Sequence, residues 1–213
     1  NDRNLDEVSR NAAVGEARFI RAFDYFQLVR IYGEVPLRLE PVKSADDAGQ
    51  ALALKSDIYD QIIIDLLEAE KYLPPRTDYP GRATKGAVKT MLADVYLTLN
   101  RLEEAKEKAE EIIENKDLYG YDLVASVDLL YSPTSPTNEE DIFSLKFSRY
   151  VGQGSFLATY SAPLSHPEAA ASRAFEEFGA NTQAPLLRDW EDNDSRKELN
   201  VYNTATINGE SVE

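Results

Sequence analysis

The chain has 213 residues, enough for one domain or slightly more, and a core that needs no staples. Its 38 acidic residues outweigh 23 basic ones, for a formal charge of −15, which argues against a nucleic-acid partner because phosphate backbones are held by clustered Lys and Arg. Cysteine is absent and histidine occurs once, so disulfides, thiolate chemistry and multi-His zinc sites are excluded. No apolar run reaches the ~18 residues of a membrane-spanning helix. The first ten residues are too polar for a signal peptide.

In chain order, Phe19, Ala22, Phe23, Phe26 and Val29 lie on one face of a 3.6-residue period. They predict a first helix that starts between Val8 and Ala12 and stops at Gly33, with Pro36 preventing continuation. A second helix is expected from an N-cap at Ser56, with Tyr59, Ile62, Ile63, Leu66, Ala69 and Leu73 inward and Pro74-Pro75 as its stop. Thr84 caps a third, whose face is Val88, Met91, Leu92, Val95 and Leu99. After a turn at Asn100-Arg101, a fourth carries Leu102, Ala105, Ala109, Ile112 and Ile113 inward, which makes the last two an antiparallel hairpin. Leu92, Ala93, Tyr96, Leu102 and Ala105 stand at tetratricopeptide spacing, while Lys89 and Ala109 depart from that signature.

From about Tyr121 the character changes. Residues 132–138 have turn chemistry throughout, Asp141–Phe147 alternates like a short half-buried strand, and beyond Ser148 the periodicity is weak, with one short helix expected around Ser172–Phe178. The fold class expected is all-α, with tetratricopeptide-like hairpins over residues 1–120 and a loop-rich portion with minor strand over 121–213, together one domain.

Four blocks resemble the SusD/RagB family in order. They are the helix Glu16-Ala17-Arg18-Phe19-Ile20-Arg21-Ala22-Phe23-Asp24-Tyr25-Phe26 running on to Val35-Pro36-Leu37, then Tyr59–Leu66 with Leu73-Pro74, then Gly81–Ala87, then Asn138–Ser144. The resemblance implies non-catalytic outer-membrane lipoproteins that capture glycans, or peptides in some members, at the cell surface and lid a TonB-dependent SusC-like transporter. No cofactor and no metal site is expected. The resemblance also implies that this chain is an internal piece of a longer one, attached to the membrane only through a lipid anchor outside these residues.

Sugar rings are recognised by flat apolar faces, with amides and carboxylates for the hydroxyls. The chain has 12 Tyr and one Trp. Tyr25, Tyr59 and Tyr96 lie within helices and read first as packing. The ligand candidates are therefore Trp190, Tyr160, Tyr150, Tyr131 and Tyr202, although each taken alone reads first as plugging a loop onto the scaffold. His166 has no nucleophile elbow beside it and reads as a loop residue. Asp189, Glu191, Asp192 and Asp194 lack EF-hand spacing and read as a solvated acidic turn. On the fourth helix, Glu104 and Lys108 are spaced to pair, and Arg18, Arg21 and Arg30 are candidates to meet buried carboxylates between helices. The alternatives to glycan capture are a helical-repeat scaffold binding a protein or peptide in its groove, and a carboxylate-dependent hydrolase.

Overall fold

The computed structural model describes residues 6–79, 81–130, 137–146, 191, 205–207 and 210–212. The chain divides into two units, residues 1–124 with 137–145, and residues 125–136 with 146–213.

The first unit is helical, as its periodicity predicts. Helix α1 spans Glu7–Tyr32; Asp6 caps it by accepting from Ser9 N, and Gly33 ends it at φ +79°, a conformation that a side chain would strain. Helix α2 spans Lys55–Tyr72. Its N-cap is Leu54, without a side-chain bond, rather than Ser56, whose hydroxyl instead bonds Asp57 inside the first turn. Thr84 caps α3, Lys85–Thr98, as expected, its Oγ1 accepting from Ala87 N at 3.3 Å. Helix α4 spans Leu102–Glu114 and is followed by one further turn, α5, Lys116–Tyr119. Helices α1 and α2 pack together, as do α3 and α4, and α2 packs on α3.

The core runs through Phe19, Phe26, Ile58, Ile62, Leu66, Leu73, Val88, Leu92 and Val95, all nearly sealed from water. Truncating one such Leu or Ile to Ala costs about 2–5 kcal/mol, the lost transfer energy plus that of the cavity left behind. Helix α4 is the exception to the expected pattern. Ala105 is buried, but Leu102 is 55% and Ile113 69% exposed, because only the narrow small-residue side of α4 meets α3. The strand expected at Asp141–Phe147 does not form over residues 141–146. Ile142 and Phe143 pack against the helical core instead, and the Phe143 ring meets Phe19 edge-on at 5.0 Å. Among the described residues no strand pairs with this segment, and docking of its apolar side chains decides the conformation.

In the second unit, α6 spans Val127–Leu130, and β1, Ala205–Ile207, pairs antiparallel with β2, Glu210–Val212, in the register Ala205–Val212, Thr206–Ser211, Ile207–Glu210. The helix expected at Ser172–Phe178 lies outside the described residues.

Candidate functional site

Polar residues of the first three sequence blocks turn toward one another. Asp65 sits in the apolar face of α2, only 1% exposed, and two arginines of α1 reach it. Arg18 Nη1 donates to Oδ1 at 2.9 Å, while Arg21 donates through Nε to Oδ2 at 2.7 Å and through Nη2 to Oδ1 at 2.6 Å. The hydrogen bonds to Asp65 hold Arg21 more firmly charged than usual, against the opposing effect of burial. Glu16 accepts from Arg82 Nε and Nη2, both at 2.7 Å, which joins the first block to the third. The Tyr25 hydroxyl accepts from Arg38 N at 2.6 Å and so pins the start of the long α1–α2 connection. Gly86 leaves room for Tyr121, whose hydroxyl would lie 2.3 Å from an added Cβ and which bonds Thr84 Oγ1 at 3.2 Å. These groups fasten the scaffold.

A second polar cluster ties α2, α3 and α4 together. Lys89, 7% exposed, is paired with Glu70 at 2.6 Å and with Glu111. Lys108 meets Glu70 and Glu111, each at 3.2 Å, so it does not serve Glu104, which pairs with Arg101 instead. Burial pushes the Glu70 carboxyl up, but the Lys89 hydrogen bond and the Lys108 and Lys89 charges outweigh it and leave the group below the ordinary glutamate value. Lys89 thus occupies a buried helix-crossing position as one member of a balanced set of two cations and two anions. Arg30 lies 3.8 Å from the exposed Asp94 and over the Phe26 ring, so it meets no buried carboxylate.

The first unit has a concave place, a groove of about 350 Å³ between α1, α3 and residues 140–143. Phe19, Phe26, Ala87 and Met91 form its floor, and Phe23, Ile142 and Phe143 its apolar walls. Gln27, Thr90, Asp94, Glu140 and Asp141 supply its polar lining. Asn138 shapes the wall, since its side-chain carbonyl accepts from Glu140 N at 2.9 Å and its backbone carbonyl from Asp141 N at 3.1 Å, an Asx turn that orients the two acids. Glu140 is further fixed by Val124 N at 2.8 Å. The groove presents flat carbon surface beside hydrogen-bond acceptors, chemistry suited to a ring with apolar faces and a donor-rich edge. Among the described residues no group of three or more His, Cys, Asp or Glu side chains is placed to hold a metal ion. No described helix is long and apolar enough to cross a membrane.

Trp190, Tyr160, Tyr150, Tyr131 and Tyr202 lie outside the described residues, as do His166, Asp189, Asp192 and Asp194. Tyr96 is buried beneath the Arg101 guanidinium, 4.5 Å from its ring centre, and Tyr59 packs edge-on against Phe26, as the packing reading expects. The sequence alone points only weakly to the groove. Its sequence signal is the spacing of Phe19 and Phe23, one turn apart, but the third ring, Phe143, comes from a distant segment.

A family profile described as starch-binding and associating with the outer membrane matches residues 1–97. The SusD-like protein P2 of Formosa agariphila is 27% identical over 208 residues, which cover 95% of this chain and 41% of that protein. Among solved structures, a laminarin-binding SusD-like protein superposes with a TM-score of 0.67 and 30% identity, over 71% of this chain and 34% of that one. Another, solved with xylogluco-oligosaccharide, gives a TM-score of 0.62 at 31% identity, over 68% of this chain and 31% of its own. The chain thus spans about two fifths or less of the length of each of these relatives.

Proposed function

This chain belongs to the SusD/RagB family, and from that premise we propose that it captures oligosaccharide without catalysis at the outer face of the outer membrane and delivers it to a TonB-dependent SusC-like transporter. The observation that carries the reading is its likeness, across most of the described helical scaffold, to a laminarin-binding relative and to one solved with xylogluco-oligosaccharide. The family description, association with the outer membrane, supports the address. On this reading the anchor is a lipid outside these residues, as in the family the chain resembles. Aromatic faces supply affinity and acceptor side chains supply selectivity. Trp190, Tyr160, Tyr150, Tyr131 and Tyr202 are proposed as the loop-borne aromatic contacts.

The test is retardation of the chain in native gels cast with laminarin, xyloglucan or starch, alongside a reducing-end assay on the same glycans. Retardation by at least one neutral glycan, with no new reducing ends, is the expected result. Unretarded migration in every gel would remove the binding claim, and release of reducing ends would replace it with a hydrolase.

A further inference from the structure

We propose that the groove between α1, α3 and residues 140–143 is a carbohydrate subsite in its own right, one that admits donor-rich uncharged or aminated pyranose rings and rejects acidic ones. The inference rests on the glycan-binding reading and adds to it a place and a selectivity. Its basis is the hydrogen-bond inventory of the lining. Asp94, Glu140 and Asp141 as carboxylates only accept. Thr90 gives its hydroxyl hydrogen to Gly86 O at 3.0 Å, so toward the groove it too is an acceptor. Among the described lining side chains Gln27 alone brings donors and none is a Lys or Arg, Arg30 standing beside the groove over the Phe26 ring and 3.8 Å from Asp94.

An occupant must therefore donate on most of its polar edge while laying carbon on the Phe23 and Phe143 walls. A pyranose does both, because each hydroxyl carries a hydrogen and its axial C–H groups form an apolar face. An extended peptide backbone fits less well: it brings as many carbonyls as N–H groups, and the carbonyls would face an acceptor rim. A uronic or sulfated sugar would bring its anion against three carboxylates, one of which, Asp94, has Arg30 at 3.8 Å, and the like-charge juxtaposition costs binding.

Met91 is the chain's single methionine and lies in the groove floor, so its ¹³C-methyl resonance reports the groove alone, while the single tryptophan, Trp190, reports the loop candidates. The experiment titrates the whole chain with β-1,4-linked tetrasaccharides of glucose, glucosamine and glucuronic acid, following both reporters. The Met91 methyl is expected to shift with the first two sugars, and the acidic one to bind at least about tenfold more weakly. In an Asp94→Asn, Glu140→Gln double variant that gap should narrow to under about threefold, because an acceptor oxygen remains at both positions while two of the three charges are gone. Phe23→Ala should weaken all three.

A Trp190 response with an unmoved Met91 methyl overturns the groove subsite and leaves the glycan reading standing. Silence of both reporters with every sugar overturns the two together. A lysine-rich peptide that moves Met91 when no sugar does would overturn the subsite in favour of a cationic peptide groove. An unchanged acid discrimination in the double variant would overturn the selectivity.

Discussion

Helices α3 and α4 are joined by Leu99–Arg101 alone, whereas α1 and α2 are joined by the whole of residues 33–54. Both pairs run antiparallel, yet what holds each pair closed differs. The short turn places Asn100 at φ +58°, and its backbone bonds, Asn100 N to Leu97 O and Arg101 N to Tyr96 O, close the hairpin locally. The long connection cannot set the geometry of α1 against α2, so that task passes to side chains. Asp65 with Arg18 and Arg21 locks the interface, while Tyr25 with Arg38 holds the connection against α1 and Gln50, donating to Leu37 O, ties the connection to itself. The lesson is that a repeat-type pair tolerates a long insertion when a concentrated polar clamp replaces the turn.

Breaking the clamp should give the largest effect. Asp65→Ala leaves two guanidiniums facing a gap in a sealed face and is expected to cost about 3 kcal/mol in urea unfolding. That lies at the low end for breaking a buried ion pair, because both arginines are about one third exposed and can turn to water. A loss under about 1 kcal/mol would show that packing alone aligns α1 and α2.

The distributed cluster around Lys89 should matter less. Lys89→Met keeps the volume and leaves Lys108 to neutralise Glu70 and Glu111 in part, so about 1.5 kcal/mol is expected at neutral pH. The pH profile sharpens this. Glu70 is more acidic folded than unfolded, so its contribution is complete above about pH 4.5 and is lost as pH falls through the folded value. Acid unfolding curves should therefore be shallower in Lys89→Met than in the parent, and parallel curves would contradict the role given to Glu70.

Two smaller tests address the connections themselves. Tyr25→Phe removes the hydroxyl that accepts from Arg38 N and donates toward Pro36 O and Arg38 O, and should cost about 1 kcal/mol. Its signature is faster amide exchange confined to residues 36–50. Asn100→Ala should cost under about 1 kcal/mol because a β-carbon is strained at positive φ without the amide's compensation, while Asn100→Gly should be near neutral. Differential scanning calorimetry resolves both.

What the sequence makes legible follows the same division. Helices α1 and α3 were readable because long 3.6-residue stripes, Thr84 and Gly33 are local signals. Asp65 carried a signal too, a carboxylate among Ile58, Ile62, Leu66 and Ala69, but its partners lie on another helix and their identity needed the packing. Lys89 read as a departure from a repeat signature, and only the placement of Glu70 and Glu111 explains it. The strand at 141–147 was misread because alternation records which side chains are buried, not whether a neighbouring strand exists. Ile113 was misread because an apolar stripe on α4 wider than its contact leaves part of itself in water. The groove escaped notice since its walls come from three separated segments, and the loop aromatics proposed for ligand contact have no residue-by-residue motif to fix them.

The most direct test of the central claim is titration of the chain with neutral oligosaccharides while Trp190 emission and heat of binding are followed together. Saturable heat with a matching change in emission, and affinity weakened by about 1–3 kcal/mol in Trp190→Ala, is the result that glycan capture through a stacked aromatic predicts. No saturable heat with any oligosaccharide would contradict it.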